Sequence, residues 1–261
     1  GGILVGANAR ISYDHIEAGQ VTDFDCAVIM GTNGDDDITI IARTELQNPL
    51  RYATADGNKD FTSTVNDGIE ILWVNNNPVD ASVKLYVDAL AGDDDVVFRT
   101  PAIDPTSGDP IAWNVHAWVV GGTPSAVTGD QGDVFELETP GPTSVVYAPL
   151  TSETGTLSVN TTSNLGGPDD TMIHLVQSFV VACNLDQVNE YASSEGGFEE
   201  LVYDGETGDD SLTVLDTADS DAVVHTPGVG VDEGMVRVNE TLAIRYQNLG
   251  LGASLTLGGA A

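Results

Sequence analysis

The residues best suited to chemistry in this sequence are aspartates that follow glycine in short turns. Close copies of this turn begin at Gly34, Gly92 and Gly208, and looser copies begin at Gly129 and Gly167. Glycine lets the backbone turn tightly, and adjacent carboxylates repel one another unless a cation lies between them. Calcium takes about six to eight oxygen ligands, which aspartates and turn carbonyls can supply together. We therefore predict calcium at these turns, against the alternative that the acidic turns are simply solvated. The predicted ligands are Asp35, Asp36, Asp37, Asp93, Asp94, Asp95, Asp130, Asp133, Asp169, Asp170, Asp209 and Asp210.

A further candidate for calcium binding lies between two of these turns. Asp56, Asn58 and Asp60 follow the Asp-x-Asn-x-Asp spacing that begins an EF-hand loop. Phe61 stands where that loop would have its turn glycine, and Asp67 stands where it would have its bidentate glutamate. Two interpretations stay open here, a dockerin-like calcium loop and a plain polar loop.

Two of the turns carry a resemblance to a known kind of repeat. Gly31-Thr-Asn-Gly34-Asp-Asp and Gly205-Glu-Thr-Gly208-Asp-Asp keep paired glycines and paired acids. They resemble the Gly-Asp-Asp-rich repeats of large secreted bacterial surface proteins, distantly similar to hemolysin-type calcium-binding repeats. The resemblance implies a parallel β-roll with calcium held between turns. It also implies an extracellular structural role in a surface layer, a filament, an adhesive or a matrix.

Signatures of catalysis are missing from the sequence. The four histidines are far apart and form no His-Glu-x-x-His pattern, and no Gly-x-Ser-x-Gly elbow or phosphate-binding loop occurs. Carboxylates are too abundant for any one pair to indicate a glycosidase. We therefore predict no catalytic residues and a protein that is not an enzyme. A β-helical polysaccharide-degrading enzyme is the less favoured alternative.

The tryptophans Trp73, Trp113 and Trp118 have two interpretations. Their sequence context predicts core packing or a covering patch on one sheet face, whereas exposed rings would form a platform for neutral glycans. A glycan- or protein-binding adhesin module is therefore the alternative to a purely structural module.

The net charge of the chain narrows its partners. The chain has 261 residues and a formal net charge of −33, so nucleic acids and anionic membranes are repelled. No run approaches the roughly 18 apolar residues that a membrane span needs, so we predict no membrane insertion. Hydrophobic residues make up 41%, which indicates a folded chain rather than an acidic tail. Bound cations or salt screening would then offset the repulsion between carboxylates.

Strand signals run through the whole chain, and convincing helical periodicity is missing. Short β-branched or alternating runs are bounded by Gly, Asn, Asp and Pro, which predicts an all-β fold. The turn glycines recur at near multiples of about 20 residues, a common coil length in repeat proteins. This spacing favours a parallel β-solenoid of the β-helix or β-roll type, with antiparallel β-sandwich repeats as the alternative. The predicted strands include residues 38–41, 69–74, 83–87, 96–98, 134–137, 172–176, 212–215 and 255–257.

The two ends of the chain are similar in pattern. Residues 2–16 resemble residues 234–249, so both ends are in a similar phase of one repeat. We therefore predict that residues 1–261 are a repetitive all-β segment of a longer protein or assembly, with an alternative subdivision near residues 100–125. Stacking of such segments predicts self-association, and the expected location is secreted, at the cell surface or in the extracellular matrix.

The two cysteines leave the redox environment open. Cys26 and Cys183 each lie in an apolar run. Buried free thiols are the simpler interpretation. A single long-range disulfide is the alternative and would indicate an oxidising compartment.

Overall fold

The computed structural model shows two mixed β-sheets and a separate two-stranded hairpin, and the described residues contain no helix. The predicted all-β class is therefore confirmed. The structure describes residues 2–5, 9–12, 18–22, 26–42, 60–68, 70–74, 83–100, 113–123, 132–160, 171–181, 192–216 and 221–258.

The strands are numbered in chain order and grouped here by sheet. The hairpin consists of β1 (Gly2–Val5) and β2 (Ala9–Ser12). Sheet I runs, from one edge to the other, through β20 (Ser254–Leu257), β16 (Ser211–Val214), β12 (Ser144–Pro149), β13 (Gly155–Asn160), β14 (Thr171–Leu175), β10 (Val115–Val120), β8 (Val83–Asp88) and β4 (Cys26–Met30). Sheet II runs through β17 (Val223–Pro227), β18 (Gly234–Val238), β19 (Ile244–Gln247), β15 (Glu200–Asp204), β11 (Val134–Glu138), β9 (Asp95–Arg99), β5 (Asp37–Ala42), β6 (Phe61–Val65), β7 (Glu70–Val74) and β3 (Ala18–Thr22). Each of the eight predicted strands overlaps an observed one.

The chain alternates between the two sheets. β4 leads to β5, β8 to β9 and β10 to β11, and the chain returns to sheet I at β12, β16 and β20. Strands brought together by successive crossings pair in parallel. In contrast, β13, β6 and β18 run antiparallel to both of their neighbours. The sheets are therefore mixed, so they are neither purely parallel nor purely antiparallel.

A column of apolar residues crosses sheet II on its inner face. Ile38, Val96, Phe135, Leu201 and Ile244 stand side by side on five neighbouring strands and are 0% exposed. Period-two alternation places them on one face, and each buried side chain of this kind stabilises the fold by about 1.5–3 kcal/mol. The column belongs to one buried cluster that also contains residues of sheet I. The cluster contains residues from before and after residues 100–125. The alternative subdivision of the chain near those residues stays a prediction.

A matching column crosses sheet I and ends at Leu257. Its members, in order from β4 to β20, are Ala27, Leu85, Ala117, Ile173, Leu157, Tyr147, Val214 and Leu257. The first seven side chains are at most 1% exposed, whereas Leu257 is 41% exposed. The shared core is therefore covered at β4 and uncovered at β20.

Candidate functional site: the acidic turns

The acidic turns form two separate sets. The turns at Gly34, Gly92 and Gly132 lead from sheet I to sheet II, whereas the turn at Gly208 leads from sheet II back to sheet I. Parallel strands place their carboxyl ends at one edge of a sheet, so the two sets lie at opposite ends of the sheet II strands. We call them the first turn stack (residues 31–36, 89–94 and 132–133) and the second turn stack (residues 139–143, 205–210 and 248–253). The turns look like copies of one another in the sequence, so their separation into two sets was not predicted.

Two buried aspartates of the first turn stack, Asp94 and Asp133, bind the backbone of the preceding turn, whereas the Asp36 carboxylate binds Thr32 within its own turn. Asp36, Asp94 and Asp133 each precede a strand of sheet II and are 2%, 0% and 0% exposed. The Asp36 N–H donates to Asp94 Oδ1 with an N···O distance of 2.8 Å, and the Asp94 N–H donates to Asp133 Oδ1 at 3.0 Å. The Asp133 N–H donates to Glu199 Oε2 at 2.7 Å. These bonds form a ladder in which every step has the same direction.

The first aspartate of a turn binds in the opposite direction. Asp35 Oδ1 accepts a hydrogen bond from the Asp93 N–H at 3.0 Å. The turns at Gly34 and Gly92 are therefore joined by two reciprocal bonds, because Asp94 accepts from Asp36 while Asp35 accepts from Asp93. Hydrogen bonds to charged groups contribute about 1.5–3 kcal/mol each.

The second turn stack repeats the arrangement around Gly208. Asp210 is 1% exposed, and its Oδ1 accepts from the Thr143 N–H of the preceding turn at 2.8 Å. Asp209 is exposed, and its Oδ1 accepts from the Gly252 N–H of the following turn at 2.8 Å. Adjacent aspartates at Gly208 thus bind both the preceding and the following turn, as Asp94 and Asp35 do from two neighbouring turns at the other end of the strands.

The glycine that opens the turn has a steric role. Gly92 has φ +155° and Gly208 has φ +136°, which side-chain-bearing residues rarely adopt. A Cβ at Gly92 would lie 2.6 Å from the carbonyl carbon of Gly34, and one at Gly208 would lie 2.8 Å from the nitrogen of Pro142. Successive turns can therefore approach closely enough to bond only when glycine occupies these positions.

Burial changes the ionisation of three aspartates that directly precede a strand. Burial raises the pKa of Asp94, Asp133 and Asp210 from an ordinary 3.8 to about 7 in each case. The hydrogen bond from the neighbouring amide lowers the pKa, but burial outweighs it. Among the described residues, the Oδ2 atoms of Asp94 and Asp133 are buried without a hydrogen-bond partner, whereas the hydroxyls of Tyr203 and Thr139 help to lower the pKa of Asp210. Ionisation of these groups therefore costs free energy in the folded state.

The predicted calcium ligands divide into buried and exposed groups. The described part of the chain has no group of three or more His, Cys, Asp or Glu side chains that could hold a metal ion. At Asp94, Asp133 and Asp210 a neighbouring amide occupies one carboxylate oxygen and the side chain is buried, so calcium at these residues stays a prediction. Asp37 and Asp95 are exposed at the starts of β5 and β9. Asp60 is 0% exposed and directly precedes β6. Five predicted ligands lie outside the described residues: Asp56, Asn58, Asp130, Asp169 and Asp170.

An acidic groove lies on the outer face of sheet II. Asp37, Asp95 and Glu136 line it together with Val97 and Val134, and its volume is about 200 Å³. Burial raises the pKa of Glu136, and nearby carboxylates raise it further. The groove concentrates negative charge, which Arg245 partly offsets at Glu136.

Arg99 lies on the same outer face and is held by two carboxylates. Its Nη1 donates to Glu138 Oε2 and its Nη2 donates to Glu206 Oε2, both at 2.7 Å. An enzyme acting on acidic sugars would need a cation beside its acids, and here the guanidinium of Arg99 is already engaged. The described residues of this face therefore add no support to the enzyme alternative.

The tryptophan rings are packed rather than presented to solvent. Trp118 stacks between Tyr86 and His174, with ring centroids 5.1 and 5.3 Å away, so both faces of its indole are covered. Trp73 is 3% exposed and Trp113 is 1% exposed. The predicted packing role is confirmed for all three. A glycan platform needs an exposed ring face, so these residues give the adhesin alternative no support.

Cys26 is disulfide-bonded, so the prediction of free thiols is wrong for this residue. The only other cysteine of the chain is Cys183, which lies outside the described residues. Apolar neighbours alone cannot distinguish a buried thiol from a buried disulfide, which is why the sequence left both open.

Glu199 was missed as a member of the first turn stack. It follows Gly196 and Gly197 and accepts the Asp133 N–H as an aspartate would at the other steps. A glycine followed closely by an acid was the available signal, but glutamate and an intervening Phe198 hid it among the least regular residues of the chain.

Comparisons with known proteins identify no relative: no protein-family model, curated protein or solved structure matches this chain. Within the described residues there is also no helix with the length and apolarity needed to cross a bilayer. The resemblance to calcium-binding repeats stays a prediction.

Proposed function

We propose that this chain is an extracellular structural module, folded as a β-solenoid with three inserted reversed strands, that stacks end to end with further copies. The observation that carries the proposal is the uncovered core at β20, where Leu257 is 41% exposed at the end of an otherwise buried column. An apolar residue that faces the core at a sheet edge is normally covered by a further layer of structure.

Sheet II is uncovered at the same end. All five residues of β17 are exposed, and its core-facing Val223 and His225 pair with buried residues of β18. Val229 and Val231 in the loop after β17 are 104% and 88% exposed. We call β17, this loop and β20 the open end. It combines apolar side chains with two strands at the margins of their sheets.

The open end has the polarity needed to extend both sheets. β17 and β20 are the outermost strands of their sheets at this end. β20 is parallel to β16, and β17 is parallel to β19 because β18 is antiparallel to both. A further copy can therefore continue both sheets with parallel pairing, and exposed strand edges favour such pairing. By end-to-end stacking we mean this continuation of both sheets from one copy into the next.

Two features support an extracellular location. Cys26 is disulfide-bonded, and disulfides persist mainly in oxidising compartments. A net charge of −33 is also suited to surroundings where salt or divalent cations screen the surface. We further propose that the predicted calcium acts at exposed carboxylates such as Asp37 and Asp95, where it would reduce repulsion between copies.

Sedimentation velocity over a range of protein concentrations tests the assembly. We expect the wild-type chain to form larger species as concentration rises, and more readily with millimolar calcium. Leu257→Asp places a charge in the proposed interface and should leave a monomer. Leu150→Asp is the matched control, because Leu150 is 62% exposed but lies outside the open end.

The control should associate like the wild type, since it adds the same charge elsewhere. A wild-type chain that stays monomeric at every concentration, with and without calcium, would contradict the proposal. Equal loss of association in both variants would show that added charge, and not the open end, controls it.

A further inference from the structure

We infer that the Gly-Asp-Asp sequence is a clamp between successive turns that works without calcium. The glycines at positions 92 and 208 allow close approach. A first aspartate binds the following turn at Gly34 and Gly208, and a second aspartate binds the preceding turn at Gly92 and Gly208. This inference does not depend on self-association, because every bond in question lies within one chain.

The two stacks carry the inference independently. Asp94 and Asp210 lie at opposite ends of the strands, yet each accepts a backbone N–H from the preceding turn at 2.8 Å. Asp35 and Asp209 each accept an N–H from the following turn, at 3.0 and 2.8 Å. Two unrelated places in the fold therefore use the same residues in the same directions. A solvated acidic turn would have no reason to repeat this geometry.

Calcium would have to displace the clamp in order to bind Oδ1 of the buried aspartates. A calcium ion lies about 2.4 Å from its ligand oxygens and needs about six to eight of them. The Asp36 N–H already points at Asp94 Oδ1, and an amide hydrogen repels a cation at that position. Asp94 is 0% exposed, so water cannot complete the coordination. Oδ1 of the buried carboxyl is therefore suited to an amide donor and not to a metal.

The clamp fixes the register of the strands that follow each turn. The aspartate ladder sits directly before the register pairs Asp37–Asp95 and Asp95–Val134. A one-residue slip would turn every core residue of the strand outward, so a fixed starting point has structural value. In the last turn, register places Ala253 beside Asp210, so the open end lacks the second aspartate.

Thermal unfolding of Asp94 variants, in excess chelator and in millimolar calcium, tests the clamp. Asp94→Ala removes the acceptor, and we expect the midpoint to fall by roughly 3–10 °C in both solutions. Asp94→Asn keeps Oδ1 as an acceptor and removes the charge, so it should stay within roughly 2 °C of the wild type. Glu240→Gln is the matched control, since it removes an exposed charge outside both turn stacks and should keep the wild-type midpoint in both solutions.

The clamp is overturned if Asp94→Asn loses stability in calcium but not in chelator, because a metal ligand would behave in that way. It is equally overturned if Asp94→Ala unfolds at the wild-type midpoint in both solutions. Should Asp94→Ala fail to fold, Asp35→Ala removes the exposed forward bond. Its smaller fall in midpoint must also be the same in both solutions.

Discussion

The two edge strands of sheet I differ in how far their core-facing apolar residues are covered. At β4 the core-facing Ala27 and Ile29 are 1% and 6% exposed, although β4 is the outermost strand of its sheet there. At β20 the core-facing Leu257 is 41% exposed. β4 also carries the disulfide-bonded Cys26. One end of the module is therefore sealed, in that its core-facing residues are covered and Cys26 is covalently linked, while the other end leaves its core uncovered.

Truncating apolar residues at the two ends should give the largest difference in stability. Ile29→Ala leaves a cavity at the sealed end and should lower the free energy of unfolding by about 2–5 kcal/mol. Leu257→Ala removes a side chain that is already partly in water and should cost the monomer less than about 1 kcal/mol. Urea unfolding at low protein concentration measures both. Equal losses would mean that the ends do not differ in the monomer.

Removing the disulfide should weaken the sealed end by a comparable or smaller amount. Cys26→Ser is expected to lower the free energy of unfolding by about 2–4 kcal/mol, because a cross-link restricts the unfolded chain. Urea unfolding of the wild type with and without reductant gives the same comparison without a substitution. The reduced wild type should match the variant, and a variant as stable as the oxidised wild type would refute this role.

The buried aspartates predict a dependence of stability on pH. The pKa of Asp210 is raised to about 7 in the folded state by burial, so the folded protein holds a proton that the unfolded chain releases near pH 4. The stability due to this proton is complete at low pH and is lost as the pH rises from about 4 to about 7. The thermal midpoint should therefore be higher at pH 5 than at pH 8.

Asp210→Asn isolates this contribution beside the open end, because it keeps the acceptor for the Thr143 amide without a titrating group. The difference between the midpoints at pH 5 and pH 8 should be smaller in this variant than in the wild type. An unchanged difference would assign the pH dependence to other carboxylates of the chain.

Added salt should have the smallest effect on the folded monomer and a clearer one on association. Screening weakens repulsion within a chain of net charge −33, so sodium chloride should raise the midpoint modestly. It should also strengthen contact between copies, because both partners carry the same charge. Light scattering at low and high salt measures the second effect, and association that weakens with salt would argue against apolar contact at the open end.

Local patterns in the sequence predicted the elements but not their neighbours. Alternation around Ile38, Val96 and Leu212 marked strands correctly, because period two is a property of the strand itself. The Gly-Asp-Asp turns were also recognised as the recurring feature. The grouping of the turns into two stacks could not be predicted from local patterns, because an inserted pair of antiparallel strands separates Asp36 from Asp94 in the sequence.

The role of the aspartates could not be read from their type. A buried acceptor and a calcium ligand both require a carboxylate beside glycine in a tight turn, so composition and spacing favour them equally. Burial favours the acceptor role that we infer, and burial follows from the register of strands far apart in sequence. The exposure of Leu257 also could not be predicted from the sequence. The strand that contains Leu257 has the alternating pattern of an ordinary buried strand, and its exposure is evident only when the whole column is assembled.

Hydrogen exchange measured at several protein concentrations tests the central proposal most directly. If copies stack through the open end, amides of β17 and β20 should become more protected as concentration rises, and amides at the centre of sheet II should not change. Leu257→Asp should abolish the concentration dependence, and Leu150→Asp should preserve it. Exchange in β17 and β20 that is independent of concentration, with and without calcium, would contradict the account.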